Sequence, residues 1–299
     1  MAKLFSVFLG LIPLFVFAQQ EKSIFLMTGL DLVESENTKR ISLIYLIPNN
    51  IEGRQKVRDI DFSIPPKQIF EKNGCRYAEF EFSPDTLYDK RIVIKILLDI
   101  YQSDLKRINK TKNGIKADTS ELRRYLIAEK YIEKDDPLIV KTASNLKGRN
   151  TKQSAENIYN YIQSKIEYFD YLPRTFGAKY ALSLGKGDYS EFSRTFTALC
   201  RALSIPARVV YGYTSVWSGT PKYDWAEYYD EKLGWIPVDP TPGGRQKFNS
   251  LDNRYVYLSH IEQDETLKNN YTFYYRYAGD APKVREIAEI KTVTIDWKF

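Results

Sequence analysis

What most constrains this chain is a change of hydrophobic period partway along it. From residue 22 to about 112 apolar side chains recur every second position, and from 137 to about 203 every third or fourth. In RIVIKILLDIY, Ile92, Ile94, Ile96, Leu98 and Ile100 share one face while Arg91, Lys95 and Asp99 lie opposite, the period of a half-buried strand. Ile60, Phe62 and Ile64 repeat the pattern, as do Ala78, Phe80 and Phe82. Turn-rich segments (PNNIEG, KNG, SPD) separate the runs. A small antiparallel β-sandwich is expected first.

Helical signals follow a polar connection, KRINKTKNGIKADTS, that has no apolar face. Asp135 and Asp136 ahead of Pro137 mark a helix start. Ile158, Ile162 and Ile166 then fall at intervals of four. Asp188 with Glu191 three residues on forms a capping-box pattern, and Phe192, Phe196, Leu199 and Leu203 are the core face of that helix. IPARVVYGY, WAEYY and GWIPVD read as strands, as do YTFYYRYAG and KTVTIDWKF in the tail. The expectation is an α+β protein: a leader over 1–18, a sandwich over 19–115, a connection over 116–135, an α+β domain over 136–262, and a β tail over 263–299 packed on the core.

Charge and targeting narrow the function. The net charge of +6 is spread among 44 basic and 38 acidic residues with no long basic run, so nucleic acid is not an expected partner. Lys3, the short apolar run broken by Pro13, and Val16 and Ala18 before the cut read as a secretory signal ending near Ala18. The mature chain is expected to be exported, periplasmic or extracellular, with no membrane span. Cys75 and Cys200 fall in different predicted domains, which disfavours a disulfide, and Cys200 lies on a helical core stripe. One histidine and two separated cysteines offer no usual zinc site, LGKGD lacks the full phosphate-loop pattern, and no cofactor is expected.

From about Leu126 to Thr241 the sequence resembles the bacterial transglutaminase-like family, relatives of the papain-like thiol enzymes. The matching pieces are the GA at Gly177, GKGD-SEF, ALCRALSIPARVVYGY, WAEYY and GWIPVDPT, in that family's order and spacing. The resemblance implies a transglutaminase-like (papain-like) α+β domain whose catalysis uses Cys, His and Asp from three elements. A cysteine at a helix N-terminus has its thiolate favoured by the dipole and an imidazolium, and an aspartate orients the histidine ring.

Carried onto this chain, the cysteine position is Tyr189, the histidine position Tyr223 and the aspartate position Asp239. The resemblance therefore implies a degenerate triad and a pseudoenzyme. Cys200 lies about 16 Å further along the same helix at 1.5 Å per residue, and His260 lies beyond the third element, at a surface or domain edge. Neither restores a thiol–imidazole pair. A phenol is mostly protonated at neutral pH, and a facing carboxylate makes it a weaker acid still. A Tyr223–Asp239 hydrogen bond is expected, with Tyr189 filling the vacated cleft.

The candidate ligand-binding residues are Tyr189, Tyr223, Asp239, Asp188, Asp224 and Trp217, the last in a Gly/Ser/Thr/Pro loop at the expected rim. Trp225 and Trp235 read as core. Asp224, Glu227, Asp230 and Glu231 form an acidic cluster read as mostly solvated. The expected role is binding of an envelope polysaccharide, peptide or partner protein. Two alternatives stand beside it: a hydrolase using carboxylates such as Asp188, Glu191, Asp239 or Glu227, or Tyr, in place of the Cys–His pair, and a purely structural scaffold.

Overall fold

The computed structural model describes residues 21–33, 37–83, 90–104, 119–169, 175–215, 222–243 and 247–293. The expected leader and Trp217 lie outside the described residues. The first strands are β1 (Glu21–Val33), β2 (Arg40–Ile47), β3 (Gln55–Phe62), β4 (Gln68–Lys72), β5 (Cys75–Phe82), β6 (Lys90–Tyr101) and the two-residue β7 (Ser103–Asp104). The alternation read from the sequence sets the inner face: Ile92, Ile94, Ile96, Leu98 and Ile100 are buried, as are Ala78, Phe80 and Phe82.

The connection is not structureless throughout. Thr119–Leu122 forms a short helix, α1, and Arg123–Leu126 a 3₁₀ turn that buries Tyr125 edge-on against Trp235, ring centroids 5.0 Å apart. Then come α2 (Pro137–Leu146), capped by Asp136, and α3 (Thr151–Lys165), whose Ile158 and Ile162 are buried. The two-residue β8 (Glu167–Tyr168), α4 (Ala178–Leu184) and the two-residue β9 (Lys186–Gly187) precede α5 (Tyr189–Ala202). After α5 run β10 (Ala207–Thr214), β11 (Lys222–Asp230), β12 (Gly234–Val238), β13 (Ser250–Leu251) and β14 (Tyr255–Ser259). Four of these make an antiparallel sheet in the order β12-β11-β10-β14, with α5 packed across β10 and β11.

The C-terminal strands, β15 (Phe273–Ala278) and β16 (Lys283–Thr292), belong to the sandwich. One sheet runs β16-β1-β6-β3 and the other β15-β2-β5-β4, all antiparallel. The chain thus starts a sandwich, builds the helical module, and returns to complete both sheets. The two parts share a core: Tyr213, Val256, Leu258 and Leu267 of the module pack with the sandwich interior. Polar staples reinforce the seam. Gln55 donates to the Tyr257 carbonyl and accepts from its N–H, each at 2.9 Å, and Arg54 donates to the Trp235 carbonyl at 2.9 Å.

Candidate functional site

The site begins at the N-terminus of α5. Asp188 caps that helix by accepting from Ser190 N–H at 2.8 Å, and Glu191 reaches back to Asp188 N–H at 3.3 Å, completing the capping box. Glu191 also accepts from Phe176 N–H at 2.9 Å, tying the preceding loop to the helix. Its carboxyl, fully buried, is pushed up to about 7 by desolvation first and by bonding and charge from Asp188 second. Tyr189 is then the first residue of the helix and is half-buried.

Two strands bring the other expected residues to it. Tyr223, near the start of β11, lies with its ring centroid 5.0 Å from that of Tyr189. Its hydroxyl meets both carboxylate oxygens of Asp239 at 3.1 Å, so the expected hydrogen bond is present. Asp239 follows β12 and also accepts from Thr241 N–H at 3.0 Å, the local turn that an Asp favours. Sequence reasoning missed a third phenol. Tyr255, on β14, donates to Asp239 at 2.7 Å and stands edge-on to Tyr223 and Trp225, at 6.0 and 5.2 Å.

These groups are dehydrated. Tyr223, Asp239 and Tyr255 are each at most 3% exposed. Burial raises the Asp239 carboxyl, while the Tyr255, Thr241 and Tyr223 bonds pull it partly back. Burial first, and the Asp239 charge second, push the Tyr255 phenol well above its usual value. The cluster holds one carboxylate among neutral phenols. The Tyr223 and Tyr255 hydroxyls both donate to the carboxylate. Close approach of Trp225 depends on Gly212 of β10, where a Cβ would lie 2.7 Å from the indole and 2.1 Å from the Val256 carbonyl oxygen.

Asp224 faces the other way, because consecutive strand residues point to opposite faces. It and Glu227 correct the expectation of a solvated acidic cluster: they are 1% and 0% exposed. Arg208 pairs with Glu227, its Nε donating at 2.8 Å. Arg194 of α5 donates to Asp224 at 3.3 Å, to Glu262 at 3.0 Å and to the Tyr211 hydroxyl at 3.1 Å. Tyr271 joins this network, donating to Asp224 at 2.9 Å. Desolvation lifts the Asp224 carboxyl to about 6 against the lowering pull of Arg194. Of the other two acids, Asp230 accepts from Lys232 and Leu233 N–H in its turn and Glu231 is exposed.

Neither sulfur is at the site. Cys75 and Cys200 are buried and unbridged, and burial raises both thiols. His260 lies beside Tyr125, ring centroids 6.1 Å apart, where a Cβ on sandwich Gly74 would be 3.3 Å from its ring. Desolvation and the charges of Arg208 and Arg124 hold it well below the usual imidazole range. Among the described residues no group of three His, Cys, Asp or Glu side chains is placed to hold a metal ion, and no helix is long and apolar enough to cross a membrane.

The N-terminus of α5 thus faces two successive strands of an antiparallel sheet, an arrangement that can be compared with known proteins. Residues 140–240 match the model of the transglutaminase-like superfamily. Among solved structures, a candidate cysteine protease from Cytophaga hutchinsonii superposes with a TM-score of 0.63 at 16% identity, covering 93% of this chain and 92% of that one. The shared fold therefore extends through the sandwich. The periplasmic domain of TgpA from Pseudomonas aeruginosa aligns with a TM-score of 0.42 at 12% identity, over 75% of this chain and 88% of that one. No curated protein sequence matches the chain.

Proposed function

We propose that this is an exported transglutaminase-like protein that binds a ligand without turning it over. In this reading Tyr189 and Tyr223 stand at the family's cysteine and histidine positions. The site they form with Asp239 holds an envelope ligand, a sugar ring of a polysaccharide ahead of a peptide or a partner protein. The observation that carries the reading is the phenol-capped carboxylate. Asp239 accepts from Tyr223 and Tyr255 where the family's mechanism requires an imidazole to be oriented. The half-buried ring of Tyr189 over Tyr223 offers a flat apolar face with hydroxyls nearby, which suits the C–H face of a pyranose.

Carboxylate chemistry has less support. Asp188 and Glu191 are committed to the helix cap, and Glu227 is fully buried against Arg208. The test is incubation of the chain from Gln19 with envelope glycans, peptidoglycan fragments and proteins, read by mass spectrometry for retained ligands and new products. A glycan retained unchanged by the native chain and lost by the Tyr189→Ala/Tyr223→Ala double variant supports binding. New products that disappear with Tyr189→Phe overturn it and assign replaced chemistry to the phenol.

A further inference from the structure

The two sandwich sheets end in four edge strands, β16, β3, β15 and β4; β3 carries a lysine and a bulge, and β4 and β16 carry lysines. β15 pairs with β2 on one side only. The carbonyls of Thr272 and Ala278 turn toward β2, accepting from Leu46 and Lys39 N–H at 2.8 Å. Hydrogen-bonding direction alternates along an antiparallel strand, so Phe273, Tyr275 and Tyr277 turn their N–H and C=O groups outward. Edges are usually blunted by lysine, proline or a bulge. β15 has none of these, and its single charge is Arg276.

Two depressions flank this edge. One of about 480 Å³ is lined by Lys222, Asn270, Tyr271, Phe273 and Tyr275 among others, and another of about 330 Å³ by Arg276 and Tyr277 with Arg40, Lys67, Glu79 and Glu81. The rings of Phe273, Tyr275 and Tyr277 follow one another at 6.3 and 6.1 Å and become more exposed along the strand, Tyr277 reaching 48%. On the opposite face the charges are unequal. Arg40 and Lys67 pair with Glu81, while exposed Arg276 forms no ion pair among the described residues; on the ring side Lys222 pairs with Glu286.

We propose that this edge receives an extended peptide by strand addition. The incoming segment carries apolar side chains on alternate residues, over the Phe273–Tyr275–Tyr277 rings, and a carboxylate on the intervening face beside Arg276. Outward main-chain groups recur every second residue, about 6.8 Å apart at strand rise, which is a peptide's own repeat. A glycan could stack on the rings but would not match that ladder. This site is separate from the Tyr189–Tyr223–Asp239 cluster, and the two readings fail independently.

The probe is a capped nonapeptide of alternating valine and glutamate, labelled for fluorescence anisotropy against the chain from Gln19. Two further versions are N-methylated on the odd or on the even residues, each removing main-chain donors from one edge. Binding is expected to fall at least tenfold with one N-methylated version and to be kept by the other. Arg276→Glu should weaken binding at least fivefold, with a valine–lysine peptide recovering it. Tyr275→Pro removes an outward N–H without touching the β2 ladder and should abolish binding; circular dichroism establishes whether that variant is folded, and Arg276→Glu carries the test if it is not. The Tyr189→Ala/Tyr223→Ala variant should bind the peptide normally. No binding, or equal binding of both N-methylated versions, overturns the proposal. So does displacement of the peptide by chitin oligosaccharides, which would assign a glycan, or a dimer dispersed by Arg276→Glu, which would assign a second copy.

Discussion

Tyr223 and Asp224 are neighbours on β11, yet they anchor two polar clusters built on opposite principles. On the Tyr223 face one carboxylate is bonded by two phenols and a backbone N–H. On the Asp224 face a buried guanidinium binds two carboxylates, backed by the phenols of Tyr211 and Tyr271. The first cluster exchanges neutral donors around a single charge and can lose one at modest cost. The second balances opposite charges away from water, so removing its cation strands both anions. Strand alternation sets the two on opposite faces of β11; the phenol cluster meets the α5 N-terminus through the ring of Tyr189, and the other through Arg194, which donates to the Ser190 carbonyl.

The largest test of this contrast is Arg194→Met. It leaves Asp224 and Glu262 buried without their cation, and chemical denaturation should show a loss of about 3–5 kcal/mol. An effect under about 1 kcal/mol would mean that the carboxylates take up protons or reach solvent, and the two faces would then differ little. On the phenol side, Tyr223→Phe removes one donor while Tyr255 and Thr241 N–H keep Asp239 partnered. The same measurement should give about 1–2 kcal/mol. A cost equal to that of Arg194→Met would erase the distinction between replaceable donors and an indispensable charge.

Thiol labelling sharpens the contrast from a third side. Cys75 and Cys200 are buried with raised pKa values, so a chromogenic disulfide reagent at pH 8 should label neither in the native state and both in denaturant. A fast-reacting native thiol would reopen thiol chemistry for this chain.

The parts legible in the sequence were those fixed by local periodicity. Ile92 to Ile100, Ile158 with Ile162, and the Asp188–Glu191 box each depend on neighbours within one element. What escaped depends on partners far along the chain. Phe273 pairs with Tyr45 and Thr28 with Ala288: YTFYYRYAG was readable as a strand, though not its place in the sandwich. Lys283–Thr292 was not read as a strand, and the expected strand KTVTIDWKF lies outside the described residues beyond Val293. Asp224 and Glu227 read as solvated because a strand carboxylate usually is; only their pairing with Arg194 and Arg208 makes burial tolerable. Tyr255 carried no motif, and its one signal was the shared parity with Tyr257 in YVYLS.

The smallest expected effect concerns Glu191, the residue that connects the helix cap to the loop before it. Its carboxyl rises from an ordinary 4.5 to about 7 in the folded protein. Between those values the folded chain holds a proton that the unfolded chain has released, so stability falls as pH rises through that window and levels off above it. Glu191→Gln removes this dependence and keeps an acceptor for Phe176 N–H, since glutamine also serves in a capping box. Asp224 and Asp239, raised in the same direction, stay in both proteins and cancel in the comparison. The variant should therefore gain on the native chain by about 2 kcal/mol or less between pH 5 and pH 8, read as the pH-dependent difference in denaturation midpoints. A difference that stays flat across that range would show that Glu191 is charged when folded, held by Arg194 and the loop N–H groups, and that the α5 N-terminus keeps the electrostatics an anionic nucleophile would need.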